Sequence, residues 1–220
     1  MSIATGTGDQ RVVLRNVSWQ TLNALLEEMG DRPIRIAYDR GELELMSPSR
    51  EHERCKHLLG RLIAVLTEEL DIALDGCGSM TFRKDGVERA VEPDECYYIL
   101  HEPQVRGKRD LDLAVDPPPD LAVEIDISSS SINRMAIYAE LRVPELWRFN
   151  GEALRVFHLG SDGQYVQRDY SLCFPQLPLS VIERFLNRRN EVHVTQLVKE
   201  FRAWVRANIA RDLPSSEQPD

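Results

Sequence analysis

Nine residues, Pro119-Asp120-Leu121-Ala122-Val123-Glu124-Ile125-Asp126-Ile127, constrain this chain more than any other segment. In an extended strand, Leu121, Val123, Ile125 and Ile127 share one face, and Asp120, Ala122, Glu124 and Asp126 share the other. The first face is of core quality. Three carboxylates projecting together from the second repel one another, which is costly unless a positive charge, usually a divalent cation, is held between them. Oxygen-only ligation suits magnesium or manganese rather than zinc. The other reading is an edge strand with one solvated face, because charged residues are mostly exposed.

A second acidic cluster favours the metal reading. Glu92-Pro93-Asp94-Glu95 opens the strand Cys96-Tyr97-Tyr98-Ile99-Leu100. Asp94 at the start of one strand and Glu124 inside a later one can converge on a single ion if the two strands pair. Pro93 restricts the approach of Asp94 by locking its own φ, although an aspartate after proline is also common in plain turns.

The rest of the chain alternates helical and extended patterns. Ser18 can cap a helix whose apolar positions Trp19, Leu22, Leu25, Leu26 and Met29 recur at helical spacing, and Gly30 ends it. Residues 35–37 and 42–46 read as a hairpin around Asp39-Arg40-Gly41. After Pro48 a long helix is expected from about Glu51, with Cys55, Leu58, Leu59, Leu62, Ile63, Leu66 and Leu70 on one face. His52 lies a turn before Cys55, nearly on that stripe, so it points inward or into a cleft mouth.

Strands are expected at residues 80–83, 87–91, 95–100 and 121–127, with a basic loop, Val105-Arg106-Gly107-Lys108-Arg109, between the last two. A short helix over about 132–141, strands at 146–149, 154–159 and 165–168, and helices near 180–186 and 192–209 complete the pattern. No repeat or linker interrupts it. One α/β domain over residues 1–213 with a disordered tail at 214–220 is the economical expectation.

No stretch approaches the roughly 18 uninterrupted apolar residues of a membrane helix, so no membrane partner is expected. The segment MSIATGTGDQ lacks the basic start and apolar run of a signal peptide. Cys55, Cys77, Cys96 and Cys173 lie far apart without a CxxC pair, which fits free thiols in a cytoplasmic protein and argues against thiolate-bound zinc. The 27 basic and 36 acidic residues give a net charge of −9, which speaks against binding nucleic acid through a broadly basic surface.

The ordered set Gly41-Glu42-Leu43, Met46-Ser47-Pro48, His52-Glu53, Pro93-Asp94, Pro119 through Ile125, Ile137-Tyr138-Ala139, Val143-Pro144-Glu145 and Leu146-Trp147-Arg148 resembles the bacterial Uma-two family, which is grouped with restriction endonucleases of the PD-(D/E)xK superfamily. The similarity runs from about Ser18 to Phe185. It implies a restriction-endonuclease-like α/β fold, a mixed β-sheet flanked by helices, and Mg²⁺ (or Mn²⁺) used to cleave DNA phosphodiesters. It also matches Asp94 to the aspartate of the PD motif and Glu124 to the second acidic ligand. The lysine is where this chain departs. The position two after Glu124 is Asp126, and the basic residue that the following helix often supplies is Arg134, four before Tyr138. Arginine stays charged, so Arg134 can stabilise a phosphoryl transition state but can hardly act as a general base.

The reading is therefore a metal-dependent endodeoxyribonuclease. Asp94 and Glu124, together with Asp120 or Asp126 and the Ile125 carbonyl, hold the ion, Arg134 steadies developing charge, and His52 contacts the metal site or orients water. Its rivals are a degraded nucleic-acid-binding or protein-interaction module of the same fold, and an acidic structural or regulatory protein that meets no nucleic acid. Regional charge softens the objection from −9. Residues 83–126 carry 6 basic and 12 acidic residues, some of them the proposed ligands, whereas residues 183–211 carry 7 basic and 3 acidic. Arg106, Lys108, Arg109, Arg184, Arg188 and Arg189 are the expected phosphate contacts, and a homodimer is the expected assembly. Tyr138 and Trp147 are expected in the core.

Overall fold

A computed structural model describes residues 8–30, 33–128 and 132–210. The expected tail at 214–220 lies outside the described residues. The elements in chain order are β1 (Gln10–Leu14), α1 (Trp19–Met29), β2 (Arg35–Asp39), β3 (Glu42–Ser47), α2 (Arg50–Leu70), β4 (Asp75–Gly76), β5 (Phe82–Lys84), β6 (Arg89–Val91), β7 (Glu95–Tyr98), α3 (Glu102–Val105), β8 (Leu121–Ile125), α4 (Arg134–Glu140), β9 (Glu145–Phe149), β10 (Leu154–Leu159), β11 (Tyr165–Arg168), α5 (Leu179–Asn187) and α6 (Val194–Asn208).

Two sheets form. A five-stranded antiparallel sheet has the order β1-β3-β2-β6-β5, and a six-stranded sheet has the order β11-β10-β9-β8-β7-β4. The second sheet is mixed, because β8 and β9 pair in parallel across the α4 connection while its other pairs are antiparallel. The architecture is the expected α/β class with helices flanking the sheets.

Side-chain alternation assigns the layers. Leu121, Val123 and Ile125 of β8 join Trp147, Phe149 and Val156 in packing against α2, α5 and α6. The opposite face of the same sheet packs Ala122 and Leu146 on Ile137 and Tyr138 of α4 and on Ala37, Phe82 and Val91 of the first sheet. Helix α1 covers the far face of the first sheet through Leu22, which meets Ile36, Tyr38 and Leu43. Ser18 caps α1 by accepting the Thr21 N–H at 3.1 Å, and the two-residue β2–β3 turn places Arg40 and Gly41 at positive φ.

Strand β8 is interior, with all five residues buried, so the edge-strand reading is overturned. Other differences have local causes. The strand expected to reach residue 100 stops at Tyr98, because the Asp120 carboxylate takes the Ile99 and His101 N–H groups at 2.7 and 2.9 Å. The strand expected at 87–91 begins only at Arg89, after a 3₁₀ turn and Glu88 at φ 48°. Strand β1 has no apolar alternation to mark it, since its Val12, Val13 and Leu14 are exposed on a sheet edge. The apolar face of α6, through Leu197, Phe201 and Val205, is spent within the protomer. No described helix is long and apolar enough to cross a membrane.

Candidate active site

Pairing of β7 with β8 sets Glu95 opposite Val123 and so carries Asp94 to the position facing Glu124. The Asp94 N–H donates to the Val123 carbonyl at 3.1 Å, and its Oδ2 accepts the Ile125 N–H at 2.7 Å. Asp94 is thereby fastened on both sides of Glu124. Both acids are buried.

Helix α4 supplies the cation. Arg134 sits in its first turn and donates to Glu124 Oε2 at 2.6 Å and to Glu44 Oε1 at 3.4 Å. Among the described residues, its Nε has no hydrogen-bond partner. One turn on, the Tyr138 hydroxyl donates a short bond to Glu124 Oε1. Burial raises the Glu124 carboxyl to about 7, with the Asp94 and Asp126 charges adding to the rise and Arg134 opposing it. Burial also works against the Arg134 charge, but Glu124 and the neighbouring carboxylates more than offset it, and the guanidinium stays protonated.

Helix α2 supplies His52, which its N-terminal turn aims inward as expected. Its Nε2 lies 2.8 Å from Asp94 Oδ1 and its Nδ1 3.2 Å from Asp9 Oδ2. Burial disfavours the imidazolium, yet the bonds to Asp9 and Asp94 lift its pKa to about 9. A protonated ring donates from both nitrogens, so His52 orients Asp94 and has no free lone pair with which to act as a base. Asp9 in turn accepts the Ser49 N–H and the Ser128 hydroxyl, each at 2.8 Å. Burial would raise the Asp9 pKa, but these bonds hold it well below the usual carboxylate range.

The first sheet completes the arrangement. Arg11 of β1 bonds Glu44 of β3 at 2.7 Å, and Arg35 of β2 approaches Asp94 to 3.9 Å. Four carboxylates (Asp9, Glu44, Asp94 and Glu124) thus face four cations (Arg11, Arg35, His52 and Arg134). The acids on β8 follow the same rule: Asp126 is bonded by Arg148 at 2.6 Å, and Asp120, at the other end of the strand, caps backbone amides and contacts His101. Glu124 and Asp126 are thus each met by an arginine of the protein itself, and Asp120 by backbone amides.

Whether an ion would fit is a question of donors. Asp94 and Glu124 are hard oxygen ligands, each carboxylate oxygen has two lone-pair sites, and the Ile125 carbonyl ends the same strand. Among the described residues, no group of three or more His, Cys, Asp or Glu side chains forms a ready-made metal cage. That donor set suits Mg²⁺, which binds through one or two carboxylates and keeps several waters. It does not suit a fully protein-ligated ion.

Glu124, Asp126, Arg134 and Tyr138 line a cleft of about 390 Å³ whose floor is the α4-facing side of β8, β9 and β10. The six basic residues expected to meet phosphate sit elsewhere, and four are already paired: Arg106 with Glu102, Lys108 with Asp116, Arg188 with Glu200 and Arg189 with Glu51. Trp147 is core, as expected.

Sequence reasoning missed Asp9, Arg11, Arg35 and Glu44, which come from three strands and a leading segment with no motif of their own. The signal available for Glu44 was a glutamate among alternating apolar residues, Leu43-Glu44-Leu45, in one arm of the expected hairpin. Tyr138 was placed in the core correctly, but its bond to Glu124 was not foreseen.

No curated protein matches the chain. Among solved structures, it is similar to a putative nuclease of Anabaena variabilis ATCC 29413 that belongs to DUF820. The TM-score is 0.50 at 11% identity, covering 84% of this chain and 99% of that one. At that identity the likeness shows the fold alone. A family profile described as "Putative restriction endonuclease" matches residues 19–195. The chain belongs to this family, Uma2.

Proposed function

We propose that the protein is a metal-dependent endonuclease that hydrolyses DNA phosphodiester bonds at the Asp94–Glu124 site. One observation carries the reading: two buried carboxylates face each other across paired strands, with a buried arginine bonded to one of them and a cleft alongside.

In this proposal Asp94, Glu124 and the Ile125 carbonyl hold Mg²⁺ or Mn²⁺, with Asp126 at the rim. The ion, when bound, supplies Lewis acidity and a water acidified toward neutrality. The chain's own residues do the rest. His52 holds Asp94 in place, and Asp9 holds His52. Arg134, which lines the cleft, offers a fixed positive charge to a phosphoryl oxygen as negative charge develops. Arginine cannot take the proton of the attacking water. The carboxylates that line the cleft, Glu124 and Asp126, are the groups placed to receive it.

A second reading keeps the fold and drops the chemistry. All four oxygens of Asp94 and Glu124 already accept hydrogen bonds or ion pairs within the protein, which favours a DNA-binding module with a degraded centre. Cutting both strands of a duplex calls for two sites. The homodimer that would supply them must use a surface other than the buried face of α6.

Incubation with supercoiled plasmid and with single-stranded DNA under Mg²⁺ or Mn²⁺ tests the reading. Cleavage that EDTA stops and that Glu124→Ala loses is expected. Equal cutting by both proteins, or none by the wild type, refutes it, and DNA binding without cutting selects the second reading.

A further inference from the structure

The cleft beside Glu124 continues across the sheet to two arginines that the proposed chemistry does not use. Glu124 on β8 stands in register with Arg148 on β9, and Arg148 stands directly opposite Arg155 on β10. The three residues form one row on the α4-facing side of the sheet and line one cleft. Directly opposed residues have Cβ atoms about 4.5–5.5 Å apart, and like charges there destabilise the ladder. Arg148 is neutralised by Asp126. Arg155 is exposed, and among the described residues no carboxylate lies within ion-pair distance of it.

We propose that Arg155, backed by Arg148, is an anion subsite that takes the phosphate of a nucleotide next to the one cleaved. With Arg148 met by Asp126, Arg155 is the arginine of the row whose charge is left for an anion, and its planar fork suits phosphate oxygens. The position also fits. Two strand spacings put β10 about 10 Å from β8, so an anion at Arg155 stays clear of Glu124 while lying in the same cleft. Four of the six rival basic residues are less suited, because Arg106, Lys108, Arg188 and Arg189 are held by their own carboxylates, and none of the six lines this cleft. The place of this phosphate relative to the cleaved bond rests on the nuclease reading, whereas the subsite itself rests on the arginine row.

The test is binding of a fluorescent single-stranded oligonucleotide of about 12 nucleotides in EDTA across a salt series, so that no cleavage intervenes. Arg155→Gln and Arg155→Glu are compared with the wild type and with Arg61→Gln, an exposed arginine of α2 on the opposite layer. Loss of one phosphate contact should lower the log–log salt slope by about 0.7, with charge reversal weakening binding further. Under Mg²⁺ the same Arg155→Gln variant should raise KM and leave kcat unchanged. Wild-type affinity and slope in Arg155→Gln, or an equal loss in Arg61→Gln, overturns the subsite. Binding with the expected slope change but no cleavage supports the subsite and removes the nuclease reading.

Discussion

Replacing Arg134 by methionine tests the electrostatic logic of the site directly. Methionine keeps the bulk of the side chain while removing its charge and its bonds to Glu124 and Glu44. Glu44 retains Arg11 at 2.7 Å, so the loss falls on Glu124, which among the described residues keeps the Tyr138 hydroxyl as its hydrogen-bond donor. Breaking a buried ion pair by removing one partner costs about 3–5 kcal/mol. For a chain of this size each kcal/mol moves Tm by roughly 2–4 °C, so a fall of about 6–20 °C is expected.

The pH dependence gives a sharper signature. The folded-state pKa of Glu124 is already raised to about 7, above its unfolded value, and removing Arg134 raises it further. The folded state then binds the extra proton, so stability falls as pH rises from about 4.5 through neutrality. Urea unfolding should therefore show the Arg134→Met penalty smaller at pH 5.5 than at pH 7.5. Adding Glu124→Gln should recover much of it, because no buried charge is then left alone. A penalty below about 1 kcal/mol that does not vary with pH, together with additivity in the double variant, would refute the coupling and with it Arg134 as the cation of the site.

Three further outcomes are expected. His52 has a folded pKa near 9 against about 6.5 unfolded, so its contribution is complete below pH 6.5 and is lost as pH rises through 9. Of the order of 3 kcal/mol should disappear across that window in the wild type and not in His52→Gln, measured by urea unfolding at fixed ionic strength. Arg134→Lys should keep the fold, and if DNA is cut it should move the alkaline limb of the pH–rate profile, because a buried lysine can release its proton and arginine cannot. Leu62→Ala, in the fully buried face of α2, should lower stability by about 2–5 kcal/mol through cavity formation, with the denaturant m-value unchanged.

Much of the fold was legible because its signals are local. The Ser18 cap, the apolar stripe of α2 and the Arg40–Gly41 turn each depend on residues a few positions apart, and each forms where the pattern places it. Strand β1 and helix α3 escaped because neither carries a period. Edge pairing with β3 makes β1 a strand, and its own side chains do not. The candidate site was legible in its acids and not in its charge balance. Asp94, Glu124 and His52 were singled out from pattern and spacing and Arg134 from the resemblance to the family, and the structure brings all four together. The cations that neutralise them were invisible, since Arg11 and Arg35 are ordinary surface-type residues until two sheets pack.

The sequence by itself determined an α/β chain with a carboxylate-bearing strand, because alternation and helical spacing are properties of neighbouring residues. Only the tertiary structure decided what those carboxylates meet. It buried β8 between β7 and β9, set Asp94 opposite Glu124 through strand register, and delivered Arg134, Glu44 and Asp9 from elements far apart in the chain. Coulomb interactions at a buried site depend on distance and burial, and neither quantity exists until the sheets and helices have packed.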